Sequence, residues 1–173
     1  MKKVIFVLLI ISFVLVTGSS VILAESIHDI AKTGSVEEMK VLLEGETDIN
    51  EYRDGVTPLM LAAKHNNLEM IELLLDNDAN IYLRDHYSDT PLVLFAAENE
   101  DLEVIKKLAD EGMDIFAYDH WHINALMLAA DRNENMDVIK FLLDKGVSLT
   151  ANDNWGISVF SRAVSNDNPE SLK

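Results

Sequence analysis

Apolar residues along this chain fall into helical stripes that return at a fixed interval. Met70, Ile71, Leu74 and Leu75 are spaced for one buried helix face, as are Val138, Ile139, Leu142 and Leu143. Small-residue stretches such as Leu61-Ala62-Ala63 and Leu128-Ala129-Ala130 come before them and predict a first helix in each unit. Polar breaks at His65-Asn66-Asn67, Asn99-Glu100-Asp101 and 132–135 separate the two helices. Thr57, Thr90, Asn124 and Ser158 carry side-chain oxygens that suit helix N-caps, and Pro58 and Pro91 follow two of them where a missing N–H costs nothing. Gly112 and Gly146 end two of the second helices, as a left-handed C-terminal turn favours. A ten-residue extended stretch with a turn-like tip, such as 115–124, leads to the next unit.

Two phrases keep the same time. Thr57-Pro58-Leu59 is followed after 33 residues by Thr90-Pro91-Leu92, and Asn124-Ala125-Leu126 and Ser158-Val159-Phe160 follow at intervals of 34. Leu68-Glu69-Met70-Ile71, Leu102-Glu103-Val104-Ile105 and Met136-Asp137-Val138-Ile139 are also 34 apart. Such a period predicts a stack of supersecondary units in place of a single globular core.

These residues carry a resemblance to the ankyrin-repeat family: Gly55-x-Thr57-Pro58-Leu59-x-Leu61-Ala62-Ala63, 68–75, 85–91, Gly112-Met113-Asp114-Ile115 and 146–156. The resemblance runs from about residue 26 to the C-terminus. It implies an all-α-dominated solenoid of helix-turn-helix units with β-hairpin-like finger loops. The expected repeats are 25–51, 52–84, 85–118, 119–151 and a partial 152–173. Departures are visible. The family's His after Thr-Pro-Leu is replaced by Met60, Val93, Met127 and Ser161, so its Thr–His hydrogen bond is expected to be absent. Phe95 stands where neighbouring units have Ala62 and Ala129, and Asn124-Ala125 replaces Thr-Pro.

The ends differ from the middle. Residues 26–43 read as a first repeat without its hairpin, with a capping box of Ser35 and Glu38 and a polar first helix (His28, Asp29, Lys32) facing solvent. Asn168-Pro169-Glu170 begins a second helix by the family pattern, but the sequence given stops at Lys173. Part of the face formed by Ile139, Leu142 and Leu143 is then expected to lack cover. A shortened sequence, a tolerated incomplete cap and a covering partner are the alternatives.

Met1-Lys2-Lys3, a 13-residue apolar core over 4–16, and Ala24 before the first acid predict a signal peptide over residues 1–24. An uncleaved membrane anchor is the alternative, since 4–24 is charge-free and long enough to span. The expected destination is the periplasm or exterior of a bacterium, and no disulfide is available because the chain has no Cys. Removing 1–24 takes Lys2 and Lys3 from 14 bases and none of the 30 acids, leaving a formal charge of −18. That balance argues against nucleic acid, whose recognition rests on cationic contacts, and mildly favours basic partners. Most of these acids are also what a solvated helix surface carries.

Function is expected at positions that the fold does not require. The fingertips are Arg53-Asp54, His86-Tyr87, His120-Trp121-His122 and Asn154-Trp155, and the free inner-helix positions include Asp131-Arg132. Aromatics often dominate interface energetics. The expected partner-binding set is therefore His86, Tyr87, His120, Trp121, His122, Asp131, Arg132 and Trp155, with neighbouring fingertips stacking on each other as the alternative role. No catalytic, cofactor-binding or metal-ligating residue is expected. His120-x-His122 lacks a dedicated zinc spacing, and no Gly-x-Ser-x-Gly, phosphate-binding glycine loop or His-Glu-x-x-His occurs. The resulting expectation is a non-enzymatic protein–protein interaction module acting as a monomer, with small-ligand or metal binding at the His-rich fingers as the alternative.

Overall fold

The computed structural model describes residues 26–165, apart from residue 66, residues 87–91, residue 100 and residues 133–135. The expected leader over 1–24, Tyr87, the Thr90-Pro91 cap, the Asn168-Pro169 helix start and the Arg132 side chain lie outside the described residues.

Among the described residues the chain forms helices α1 (Ile27–Thr33), α2 (Val36–Leu43), α3 (Pro58–Lys64), α4 (Leu68–Asp76), α5 (Leu92–Ala97), α6 (Leu102–Asp110), α7 (Ala125–Arg132), α8 (Met136–Asp144) and α9 (Val159–Ser165). The first helices α1, α3, α5, α7 and α9 pack one on the next, and α2, α4, α6 and α8 form a second layer behind them. Each unit touches its neighbours, as a solenoid requires.

Capping sets the helix starts. Ser26 and Ser35 close reciprocal boxes with Asp29 and Glu38, and these carboxyls are held below the usual range by the serine hydrogen bonds. Pro58 occupies the first turn of α3 behind Thr57. In place of a Thr–His bond, the Thr57 N–H points at the Met60 sulfur at 3.4 Å. Asn124 caps α7 by accepting from the Met127 N–H at 2.9 Å.

The seam between units is apolar and tight. Leu59 and Leu126, each two positions past a cap, and Leu92 at the same register are buried, as are Ala63, Ala96 and Ala130 four positions further on. Small residues at those second positions let successive first helices approach closely. Gly112 and Gly146 adopt φ of +93° and +90° after α6 and α8, as their position predicts. Asp78 holds the same turn after α4 with φ +66°. A side chain there is strained, so Asp78→Gly is expected to stabilise the chain by about 0.5–1 kcal/mol in urea unfolding, and Gly112→Ala to cost at least as much.

One expectation needs correction and another narrowing. His28 does not face solvent: it is buried, with Nε2 at 3.0 Å from the Glu51 carbonyl and 3.1 Å from that of Val56. Both partners only accept, so Nε2 carries the proton and donates to both. His28 lies two positions past the Ser26 cap, the register of Leu59, and this turns it onto the following finger. The bare face expected on α8 is confined to Leu143, because Ile139 and Leu142 are buried. The open apolar surface lies instead on α9.

Candidate functional site

Finger 1 is one residue shorter than the others between its apolar anchor and the next cap, eight from Ile49 to Thr57 against nine from Ile115 to Asn124. It therefore turns tightly: Arg53 bridges Val56, and Asp54 and Gly55 both take positive φ (49° and 76°), the geometry of a two-residue hairpin. Fingers 3 and 4 are wider, with bridges Tyr118–Asn124 and Asn152–Ser158. Their tips close through His122 N–H to the Asp119 carbonyl at 3.0 Å and Gly156 N–H to the Asp153 carbonyl at 2.9 Å. His122 (φ +63°) occupies the left-handed position held by Gly156 (φ +77°) in finger 4.

The repeating aspartates hold these tips rigid. Asp119 Oδ1 accepts from the Trp121 and Ile123 amides at 2.9 and 2.8 Å. Asp153 Oδ1 accepts from Trp155 and Ile157, both at 2.9 Å. Its second oxygen takes a 2.6 Å bond from Arg162, which also stands 3.8 Å from Asp131 of α7. Burial raises the Asp153 pKa, but the Ile157, Arg162 and Trp155 donors outweigh it and hold the carboxyl below its ordinary value.

Fingers are also tied to one another. His86 N–H reaches the Gly55 carbonyl at 2.9 Å, and Asn154 N–H the Trp121 carbonyl at 3.0 Å. Tyr52 donates to the Arg84 carbonyl at 2.8 Å and Arg84 to that of Tyr118 at 2.9 Å. His122 Nδ1 meets the Asn152 carbonyl at 2.9 Å, and Asn154 Nδ2 that of His120 at 3.2 Å. At the start of the row, Arg53 pairs with Asp29 at 3.0 Å. On the inner helices Lys64 pairs with Glu98 at 2.5 Å. Burial, aided by Lys32 and Lys64, lowers the pKa of His65 beside them.

This network distributes the expected binding residues unevenly. His86 stacks on Tyr52 across fingers 1 and 2 (centroids 3.7 Å apart), and His122 stacks on Tyr118 within finger 3 (4.3 Å). His120 is exposed, with its ring edge-on to Trp121. Trp121 is 39% exposed and Trp155 64% exposed, and among the described residues no ring contact joins them. Among the described residues, stacking between fingers thus falls to Tyr52 and His86, while the tryptophans project from adjacent, backbone-linked tips without a ring contact to each other. Asp131 lies on α7 in the Arg162 cluster. Among the described residues no group of three or more His, Asp or Glu is placed to hold a metal ion.

Tyr52, Arg84 and Tyr118 were not among the expected site residues. Tyr52 and Arg84 donate to backbone carbonyls of the next finger and Tyr118 supplies one of those carbonyls, which side-chain patterning does not display. Arg162 gave a usable signal, since it replaces the apolar residue found at Leu61, Leu94 and Leu128 in the same register.

The family described as ankyrin repeats (3 copies) matches residues 25–85 and 93–173. A fowlpox virus (strain NVSL) protein named for its ankyrin repeats is 36% identical over 58 residues, 32% of this chain and 8% of that protein. The chain therefore spans only a small part of that relative's length. Its helix pairs, finger loops and sequence place this chain in the ankyrin-repeat family, whose repeats are in general protein–protein interaction scaffolds.

Proposed function

We propose that this chain is an exported, non-enzymatic module that holds a partner protein against its finger row and inner helices. The observation that carries the reading is the exposure of Trp121 and Trp155 on tips whose backbones are fixed by Asp119 and Asp153. Rigid aromatic anchors lose little entropy on docking, which is what strong interface residues need. His86, His120 and His122 flank them, with Asp131, Arg132 and Tyr87 completing the proposed contact set. The acidic balance of the chain favours a neutral or basic partner surface and disfavours nucleic acid.

Export rests on the lysine-led apolar segment over 1–24, cleaved after Ala24. Among the described residues no helix is long and apolar enough to cross a membrane. N-terminal sequencing of the protein from an exported fraction is expected to begin at Glu25; an intact Met1 end would support the anchored form instead.

For the binding surface, Trp121→Ala with Trp155→Ala is expected to weaken capture of the partner from the exported fraction at least tenfold. Both side chains are exposed, so the melting temperature should change little. Unchanged capture by the double variant would remove the tryptophans from the contact.

A further inference from the structure

The first two units are stitched together where finger 1 begins, and the next step lacks that stitch. Asn50, one position past the anchor Ile49, accepts from the Asn80 N–H at 2.8 Å and donates to the Asp78 carbonyl at 3.5 Å. Its carboxamide thus ties finger 1 to the turn after α4. Tyr82, one position past Ile81, holds the same register in the next unit. Its hydroxyl lies instead over the turn after α6, 3.6 Å from where a Cβ on Gly112 would stand, and the residue is 71% exposed. Among the described residues the Asp114 N–H, counterpart of the Asn80 donor, meets no acceptor. Phe116, 52% exposed, repeats the exchange one unit further on.

Two recesses meet at Ile81 and Tyr82, beside the missing stitch. The smaller, about 160 Å³, is lined by Leu83, Leu92, Val93, Met113 and Ala117, with Asp114 at its edge. An apolar cavity of about 150 Å³ holds a benzene ring, so this one fits a single aliphatic or aromatic side chain. Arg84 on its wall is bonded to the Tyr118 carbonyl at 2.9 Å. The wider recess, about 510 Å³, includes Asp78 and Glu111 in its lining and no basic residue. Among the described residues no donor or cation engages the Asp78 carboxylate. Lys107 bonds Glu111 at 2.7 Å, and its pKa is raised chiefly by that bond, with Glu72 and Asp76 adding to it. Carboxylates therefore outnumber the one ammonium on this side of the groove.

We propose that this groove at the foot of fingers 2 and 3 docks an extended, basic segment of a partner protein. One apolar side chain of the segment enters the smaller recess, a Lys or Arg lies over Asp78 and Glu111, and a backbone carbonyl accepts from the Asp114 N–H. Same-face side chains of an extended chain are about 7 Å apart, a spacing suited to adjoining recesses. The acid rim and the formal charge of −16 disfavour a second copy, nucleic acid or an anionic membrane. A small free cation would leave the apolar recess and the amide unused. The site lies at the other end of the hairpins from the tips that carry Trp121 and Trp155, and neither reading depends on the other.

The test uses the purified full chain and fluorescein-labelled hexapeptides of Gly and Ser bearing one Leu and one Lys at adjacent or alternate positions. Fluorescence polarisation is expected to show binding at about 10–100 μM for the best spacing, weakening with added salt. Replacing the peptide Lys by Glu should weaken it about tenfold. Tyr82→Asn restores the stitch that Asn50 makes, so it should cut binding about tenfold while raising the urea midpoint, which separates closure of the groove from unfolding. Asp78→Asn, a residue type that tolerates the left-handed turn, should reduce the preference for Lys over Glu. Trp121→Ala with Trp155→Ala should leave peptide binding unchanged; its loss there would place the peptide on the finger row and overturn the proposal. Equal binding by the parent and Tyr82→Asn, or no binding by any of the peptides up to about 1 mM, would also overturn it. Lysine amide binding as tightly as the peptides would give the groove to a small cation, and a Tyr82-dependent dimer in light scattering would give it to a second copy; either result refutes the assignment.

Discussion

Leu126→Ala is expected to destabilise the chain by about 3 kcal/mol, the largest single-residue effect on the first-helix seam. Leu126 is fully buried in α7, between α5 and α9. Truncation leaves a cavity that helices held on both sides cannot collapse around. Phe160→Ala, at the same register of α9, should cost about 0.5 kcal/mol or less in dilute protein, because its ring is mostly in water already. Urea unfolding of both variants, read from the midpoint, gives the comparison. Similar costs at the two positions would refute the register of the stack itself.

The second large effect concerns the charged cluster at the last finger. Asp153→Ala is expected to cost about 2–3 kcal/mol, since it removes the acceptor for two tip amides and the close partner of half-buried Arg162. The figure sits below that of a fully enclosed ion pair because the Arg162 side chain keeps 15% of its surface in water. Arg162→Leu in the same chain should recover part of the loss, restoring the apolar residue found at Leu61, Leu94 and Leu128. The pH dependence has a definite sign. The folded pKa of Asp153 lies below its unfolded value of about 3.9, so the stabilisation is present above about pH 4 and is lost as pH falls through the folded value. Asp153→Asn should flatten that acid limb in thermal melts taken at successive pH values. An unchanged limb would mean that the ion pair does not contribute.

What the sequence disclosed and what it hid follow from the same physics. Caps at Thr57, Ser35 and Asn124, and left-handed turns at Gly112 and Gly146, are local requirements met by one residue type at one register, so a fixed period exposes them. His28 was hidden by its neighbours: beside Asp29 and Lys32 it looked like one more polar residue on a solvated helix. Only its register, shared with Leu59, places it in the seam. Asp78 escaped notice because nothing in its identity announces a left-handed turn that glycine fills elsewhere. For the candidate site, the exposed tryptophans were legible as residues the repeat does not need. The Tyr52–Arg84–Tyr118 relay was not, since it joins dissimilar side chains to main-chain oxygens.

Helix packing chiefly between adjoining units carries a mechanical implication. Fraying can begin at either extremity and unzip inward one helix pair at a time, without waiting for the whole chain to melt. A protein clamped across fingers 3 and 4 would then work as a splint, linking their opening and slowing protease attack on the weaker of the two.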